Sequence, residues 1–190
     1  MRHFTAAWIV VVVLLGGCDK NAELRHARVV DPPRPVATFE LTGHTGAPFS
    51  RDDLMGRWTV LFSGFTHCPD ICPATLGILK AAGKGLDASR VQTVFVSVDP
   101  ERDTLERLAG YLAWFDEDWI GLTGEREALD RLLDSLQMAY VRVPTGNGEY
   151  TMDHATAVAL IDPQGRMTAF WSAPLDVGEL REDLASLPAP

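Results

Sequence analysis

The sequence predicts an α/β protein with a central mixed sheet flanked by helices. Short apolar segments alternate with segments of helical period along most of the chain, an order that is typical of α/β domains. Near the carboxyl terminus this alternation gives way to two strands joined by a tight turn and then a closing helix, so the sheet is expected to be mixed. The chain has 190 residues, of which 46% are hydrophobic, and this suits one domain with a sizeable core.

Strands are predicted where short apolar runs lie between turn residues. The strongest signal is 91–98, a segment rich in valine that ends before Asp99-Pro100. Asp162-Pro163-Gln164-Gly165 predicts a type I turn, with Pro second and Gly fourth. Residues 43–53 predict a loop or hairpin turn, and residues 144–150 predict a flexible loop or hairpin tip. In chain order the predicted strands are 36–41, 60–65, 91–98, 119–122, 139–143, 156–161 and 167–172.

Helices are predicted where apolar residues recur at intervals of three and four. The clearest are 104–115 and 126–136, each with a stripe of leucines. The other two are 73–86, which is weakened by internal glycines, and 177–187. The apolar residues of these stripes are expected to be core rather than functional. They are Leu105, Leu108, Leu112, Phe115, Leu129, Leu132, Leu133 and Leu136.

The amino terminus predicts an export signal rather than part of the fold. Arg2 supplies a positive start, and residues 6–15 form an apolar run that is too short to span a bilayer. Leu15-Gly16-Gly17-Cys18 resembles a bacterial lipobox, in which the cysteine is lipidated and becomes the first residue. The alternative is an ordinary signal peptide with an incidental cysteine. Asp19 resembles a signal for retention in the inner membrane, which places the domain on the periplasmic face of that membrane.

Three regions follow from this interpretation. Residues 1–18 are the signal and the lipidated Cys18, residues 19–35 are a tether stiffened by its prolines, and residues 36–190 are the domain. The tether and the domain together are acidic, since the whole chain has 26 acidic and 17 basic residues and a formal charge of −9. A nucleic-acid partner is therefore not expected.

Cys68-Pro69-Asp70-Ile71-Cys72-Pro73 lies between a predicted buried strand and a predicted helix. Two thiols at such a junction form either a redox pair or half of a site for a soft metal. Three residues separate the cysteines, one more than in a thioredoxin-type pair, which leaves room for an ion without forbidding a disulfide. Pro73 is expected to begin the helix, with Cys72 near the cap, where the helix dipole favours a thiolate. A purely structural disulfide would close a very short loop and constrain the unfolded chain little.

A third metal ligand is needed beside the two thiols, and the candidates are the five histidines of the chain. His67 adjoins Cys68, but neighbouring side chains on an extended segment point in opposite directions, so a structural role is expected for it. His44 lies in a polar loop and is expected to be solvated. His154 is the remaining candidate outside the signal and the tether, and Asp153 is a candidate for orienting it. On the residues alone, a histidine at a strand start is more often a surface residue than a ligand.

Three motifs resemble one known family. Phe65-Thr66-His67-Cys68-Pro69-Asp70-Ile71-Cys72-Pro73 resembles the signature of the SCO/SenC proteins, the copper-delivery factors of cytochrome oxidase assembly. Residues 96–104, and Asp153-His154 followed by 160–165, are similar to two further segments of that family. The resemblance covers residues 36 to 187. The departures are Phe65, Leu105 and Ala155, and none of these residue types is a metal ligand here.

The resemblance implies a thioredoxin-like fold and a copper site made of Cys68, Cys72 and His154. Two thiolates and one imidazole suit trigonal Cu(I), and an added weak ligand would accommodate Cu(II). Zinc prefers four protein ligands, and no fourth is evident. Asp99 and Asp103 are expected near the site, on a surface for partner docking, or in structural turns.

The implied function is that of a membrane-tethered metallochaperone that is anchored by lipid. Its partner would be the copper-bearing subunit of cytochrome c oxidase, at the binuclear copper centre. Other periplasmic copper carriers and thioredoxin-like reductants are further expected partners.

Two enzymatic alternatives use the same thiols, and whether the protein is an enzyme stays open at this point. A thiol-disulfide oxidoreductase would reduce the acceptor's cysteines before metallation through Cys68 and Cys72. A copper site requires His154, whereas a dithiol reductant does not. A peroxidase is the weaker alternative, because it needs an arginine beside the reactive thiolate and no arginine adjoins the Cys68 segment.

Overall fold

The structure is a computed structural model that describes residues 23–190. The predicted signal segment and Cys18 lie outside the described residues. Within residues 23–190, every helix is too short or too polar to cross a lipid bilayer.

The fold is built on strands that form one large sheet and one small sheet. Residues 23–190 supply eight strands to the large sheet and two to the small sheet. In chain order the strands are β1 (Arg28–Pro35), β2 (Glu40–Gly43), β3 (Pro48–Ser50), β4 (Trp58–Gly64), β5 (Val91–Ser97), β6 (Ile120–Thr123), β7 (Tyr140–Gly146), β8 (Glu149–His154), β9 (Val158–Ile161) and β10 (Arg166–Trp171).

The order in the large sheet is β1-β10-β9-β4-β5-β6-β2-β3, and among the described strands β7 pairs with β8 alone. The pairs β4–β5 and β5–β6 are parallel, and the other pairs are antiparallel. All seven residues of the central strand β4 are buried, as expected for a strand covered on both faces. The prediction of an α/β protein with a mixed sheet is therefore confirmed.

In the described part of the chain, four helices cover the sheet: α1 (Ile71–Gly83), α2 (Leu105–Ala113), α3 (Arg126–Ser135) and α4 (Val177–Ser186). A 3₁₀ turn, Arg51–Leu54, follows β3. Most leucines of the predicted stripes are buried, namely Leu108 and Leu112 of α2 and Leu129, Leu132 and Leu133 of α3. Leu105, at the start of α2, is only half-buried. The predicted turn at 162–165 is present, because the Gly165 N–H donates to the Asp162 carbonyl at 2.9 Å.

The predicted tether departs most from the structure. Residues 28–35 form β1, which pairs antiparallel with β10 at the edge of the sheet. The chain before β1 is held by Asp183, whose buried carboxylate accepts the backbone N–H groups of Arg25, His26 and Ala27 at 2.7, 3.2 and 2.8 Å. An edge strand tolerates proline, because a missing N–H on its outer side breaks no ladder bond. The predicted domain boundary at residue 36 therefore excludes a strand that belongs to the sheet.

The second departure concerns the hairpin before β9. Most of the predicted flexible loop 144–150 belongs to β7 and β8, which turn at Asn147 and Gly148 with φ of +51° and +81°. β8 is absent from the strands predicted from the sequence. His154 consequently lies at the end of β8, not immediately before the next strand.

Candidate metal centre

The three predicted ligands converge beside the carboxyl end of β4. The sulfurs of Cys68 and Cys72 and one ring nitrogen of His154 all lie within 4.8 Å of one another. Cys72 Sγ is 3.3 Å from His154 Nε2. The backbone N–H of Cys72 donates to Cys68 Sγ at 3.4 Å. Both thiols are free, so the structure shows the reduced state of the pair.

The helix that carries Cys72 begins earlier than predicted. α1 starts at Ile71 with Asp70 in the capping position, so Cys72 lies in the first turn of the helix and Pro73 does not begin it. The N–H groups of the first turn have no acceptor within the helix, so proline at the third helical position breaks no hydrogen bond. Cys72 is helical although a residue before proline usually prefers an extended backbone. Cys72 still lies at the positive end of the helix dipole.

Gly64 permits helix α1 to approach the sheet closely. A Cβ atom at Gly64 would lie 3.0 Å from Cys72 Sγ and 2.8 Å from Phe95 Cε2. Both of those side chains are fully buried. Gly64 is not among the site residues predicted from the sequence. The available signal was a glycine at the end of a strand otherwise made of larger residues, which often marks close packing.

The two thiols lie in different environments. Cys68 is half-buried. Cys72 is fully buried, and this burial raises the pKa of its thiol far above the ordinary value. The metal-free protein therefore carries Cys72 as a neutral thiol near pH 7, despite the favourable helix dipole.

The imidazole of His154 is oriented for ligation through Nε2. His154 Nδ1 lies 2.9 Å from the Ala155 carbonyl oxygen, so Nδ1–H donates to it and Nε2 keeps a free lone pair towards Cys72. The rings of Phe62 and Phe65 contact the imidazole edge-on, each with centroids 5.9 Å away. Burial lowers the pKa of His154, which favours the neutral ring that metals require. The Ala155 carbonyl, rather than Asp153, therefore orients the His154 ring, because the Asp153 side chain is exposed.

Asp103 fastens the turn that contains Cys68. Its fully buried carboxylate accepts hydrogen bonds from the Thr66 N–H at 3.0 Å, the Thr66 hydroxyl at 2.6 Å and the Ser97 hydroxyl at 2.6 Å. His67 Nδ1 lies 3.6 Å from the same carboxylate. His67 is exposed and lies outside the group formed by the thiols and His154, beside the carboxylates of Asp99 and Asp103. The structural role expected for it stays a prediction.

His44 differs from its expected solvated position. Its Nδ1 accepts the Gly121 N–H at 3.0 Å, so the ring joins the loop after β2 to strand β6. Asp99 is also buried and accepts the Tyr150 hydroxyl at 2.8 Å. The sequence pattern places Asp99 and Asp103 near the site, but it does not reveal Tyr150 and Thr66 as their partners, which lie 51 and 37 residues away along the chain.

Comparison with known proteins decides the family. The family described as SCO1/SenC matches residues 29–188. The chain belongs to the SCO1/SenC family. A Stutzerimonas stutzeri protein named for copper binding is 37% identical to it over 174 residues, which are 89% of this chain and 85% of that protein. The human mitochondrial SCO1 homolog is 32% identical over 172 residues, which are 88% of this chain but only 57% of the human protein.

A solved structure supports the same assignment. The copper-bound structure of ScoI from Bradyrhizobium japonicum is 35% identical, with a TM-score of 0.73 over 80% of this chain and 98% of that chain. The predicted thioredoxin-like fold and the SCO/SenC resemblance are both confirmed. The family match begins within β1, in agreement with the structural limits of the domain.

The donor set of this SCO1/SenC protein restricts the metals that it can hold. Two sulfurs and one imidazole nitrogen are soft or borderline ligands, which suit Cu(I) in a trigonal arrangement. Within residues 23–190, this cluster contains three ligating residues, one fewer than a closed tetrahedral zinc site requires. The Asp103 carboxylate is already engaged by three donors and anchors the turn.

Proposed function

We propose that this SCO1/SenC protein is a copper metallochaperone that holds copper through Cys68, Cys72 and His154. The observation that carries the proposal is the convergence of two sulfurs and one neutral imidazole within 4.8 Å. The copper-bound state of the related Bradyrhizobium japonicum ScoI supports copper as the cargo. The acceptor that we propose is the copper-bearing subunit of cytochrome c oxidase, at its binuclear copper centre.

Transfer would proceed by exchange of ligands without a change in the oxidation state of copper. An acceptor thiolate forms a new bond to the metal while one ligand of this protein leaves, and the exchange is then repeated. Cys68 is the half-buried thiol, whereas Cys72 is fully buried, so the approach of an acceptor is open on the Cys68 side. The buried sulfur and the oriented imidazole would hold copper until the acceptor is in place.

The proposal includes a lipid anchor at Cys18 on the periplasmic face of the inner membrane. Asp183 holds the backbone from Arg25 onward, so residues 19–24 alone would connect the anchor to the folded domain. Six extended residues reach at most about 20 Å, so the domain would work close to the membrane surface. This reach is much shorter than the predicted tether of residues 19–35 would allow.

Copper titration of the reduced protein tests the ligand set. We expect one copper per chain, and we expect Cys68→Ser, Cys72→Ser and His154→Ala each to weaken binding by about 100-fold or more, since even changes behind a ligand reach that range. His67→Ala is the matched control, because His67 adjoins Cys68 but lies outside the three-residue group. Tight binding that survives in His154→Ala would contradict the proposed site.

A thiol-disulfide oxidoreductase is the second candidate, favoured by the free and adjacent thiols. The Cys68 thiolate would attack an acceptor disulfide and release one acceptor thiolate, and Cys72 would then attack Cys68 to release the other. Two electrons pass to the acceptor, and a Cys68–Cys72 disulfide remains. The raised pKa of Cys72 opposes the second attack, because only the thiolate is nucleophilic. In His154→Ala, undiminished thiol exchange together with lost copper binding would separate the two roles.

Copper affinity is expected to rise with pH. The raised pKa of Cys72 keeps its proton on the sulfur through the neutral range, so copper must displace that proton. Displacement of the Cys72 proton alone makes binding about tenfold tighter for each pH unit between about pH 6 and pH 8, and any proton that copper displaces from Cys68 makes the slope steeper. The lowered pKa of His154 means that its ring is already neutral in most of this range and adds no further proton. Competition titrations at several pH values measure this slope. An affinity that is independent of pH would show that Cys72 does not lose its proton to bind copper as a thiolate.

A further inference from the structure

His154 is carried by a hairpin that does not belong to the large sheet. Strands β7 and β8 pair only with each other in the part of the chain that the structure describes. Tyr150, Met152 and His154 occupy alternate positions of β8 and so share one face of the hairpin. Met152 is 5% exposed, so this face packs against the domain. The position of the imidazole therefore depends on how the hairpin is seated.

Tyr150 is held by contacts on three sides. Its ring lies between the guanidinium groups of Arg102 and Arg142, whose Cζ atoms are 3.7 and 3.6 Å from the ring centroid. Its hydroxyl donates to the Asp99 carboxylate at 2.8 Å, and its carbonyl accepts from the Arg102 guanidinium at 3.0 Å. Asp99 is 2% exposed and also pairs with Arg102. We call Tyr150, Asp99, Arg102 and Arg142 the Tyr150 clasp.

The clasp joins the hairpin to the segment that also anchors the turn of Cys68. Asp99 and Arg102 lie in the turn after β5, whereas Tyr150 lies on β8. The Asp99 N–H donates to the Ser97 hydroxyl at 3.1 Å, and that hydroxyl donates to Asp103. The two parts of the proposed copper site are thus fastened to one short stretch of chain after β5.

We propose that Tyr150 is a positioning residue, which seats the hairpin so that His154 Nε2 stays against Cys72 Sγ. Tyr150 lies four residues before His154 on the same face of β8, which is about 13 Å away along an extended strand, so it acts through the strand. Beyond the clasp, the Ala155 N–H donates to the Ala139 carbonyl at 2.9 Å at the base of the hairpin. Without the clasp, the strand from Tyr150 to His154 is fixed at its base alone, so it is free to twist and no longer holds the imidazole against the thiols. The consequence for copper rests on the proposed function, whereas the consequence for the imidazole does not.

The metal-free protein provides the first test, by NMR of the His154 ring protons. These protons lie beside the rings of Phe62 and Phe65, so their chemical shifts report the seated position. We expect Tyr150→Leu to move these signals towards those of an exposed histidine. Tyr150→Phe keeps the stacked ring and is expected to produce a smaller change. Unchanged His154 signals in the folded Tyr150→Leu variant would overturn the proposal.

Two further variants keep this test decisive. Arg142→Gln removes one of the two guanidinium groups that stack on Tyr150. The Arg142 side chain is 46% exposed, so we expect this variant to fold even if Tyr150→Leu does not. We expect it to move the His154 signals in the same direction. Val143→Thr is the matched control, because Val143 lies on the same hairpin but points away from the clasp, opposite Thr151. It is expected to leave the His154 signals in place.

A double-mutant cycle with His154→Ala tests the functional consequence. We expect Tyr150→Leu to weaken copper binding about tenfold in the unaltered chain, the scale found for residues that orient a metal ligand. In the His154→Ala background the same change is expected to have an effect of less than about twofold, because there is no imidazole to position. Equal effects in the two backgrounds would overturn the positioning role. Absence of copper binding in the unaltered chain would overturn the proposed function instead, and the NMR comparison would still decide the seating of the hairpin.

Discussion

Replacing Asp183 with asparagine is expected to lower the free energy of unfolding by about 3 kcal/mol, because buried donors lose a charged acceptor. The carboxylate is fully buried and accepts three backbone N–H groups of the arm before β1. It also accepts Trp171 Nε1–H at 2.9 Å. Asparagine has one acceptor oxygen in place of two and turns an NH₂ group towards donors. Urea unfolding followed by tryptophan fluorescence measures the change.

Glu179→Gln is the control for the loss of a negative charge on the same helix. The Glu179 carboxylate is exposed and lies 3.8 Å from His26, so its loss is expected to change the free energy of unfolding by less than about 0.5 kcal/mol. A chain that begins at residue 36 loses the three backbone donors of Asp183 and also the strand β1. We expect it to be destabilised more than Asp183→Asn, relative to a chain that begins at residue 23. Equal urea midpoints for these two chains would show that the arm is a tether, as the sequence alone predicts.

The arm shows why part of the fold escapes prediction from the sequence. Strands with an apolar and β-branched signal, such as β4 and β5, are predicted to within about two residues. β1 contains prolines and mostly exposed residues, so it lacks the alternation that marks a strand. It forms because β10 offers a free edge and because Asp183 binds the backbone before it. Both partners lie more than a hundred residues away along the chain.

The site shows the same division between local and distant information. The spacing of Cys68 and Cys72 and the order of strand and helix place the two thiols together. His154 lies 82 residues beyond Cys72, and no local pattern links them. The family resemblance, rather than the spacing, therefore predicts that these residues meet. The Ala155 carbonyl that orients His154 is a backbone group, which no residue pattern reveals.

The contacts behind the site were accessible only through the structure. Asp103 and Thr66 are separated by 37 residues, and each is common in turns. The Tyr150 clasp joins residues of β7 and β8 to the turn after β5. Such contacts depend on the tertiary arrangement of elements, whereas a sequence pattern reports the period of each element separately.

Replacing Asp103 with alanine is expected to lower the free energy of unfolding by about 3 kcal/mol, since it leaves buried polar groups without their acceptor. The groups concerned are the Thr66 N–H, the Thr66 hydroxyl and the Ser97 hydroxyl. Their loss also frees the turn from Thr66 to Cys68, which the carboxylate fixes to the end of β5. We therefore expect copper affinity to fall about tenfold, as for other groups that support metal ligands. Urea unfolding and competition titration with a copper chelator measure the two effects.

Thr66→Val separates stability from the position of Cys68. This variant removes the hydroxyl that donates to Asp103 at 2.6 Å but keeps the Thr66 N–H, which donates to the same carboxylate at 3.0 Å. We expect a smaller loss of stability, about 1 kcal/mol, and an almost unchanged copper affinity, because the backbone of the turn stays fixed. Asp103→Asn keeps the shape of the side chain and should fall between Thr66→Val and Asp103→Ala in both measurements. If folded Asp103→Ala bound copper as tightly as the unaltered chain, the turn would hold Cys68 in place without Asp103. The buried carboxylate would then contribute to stability alone.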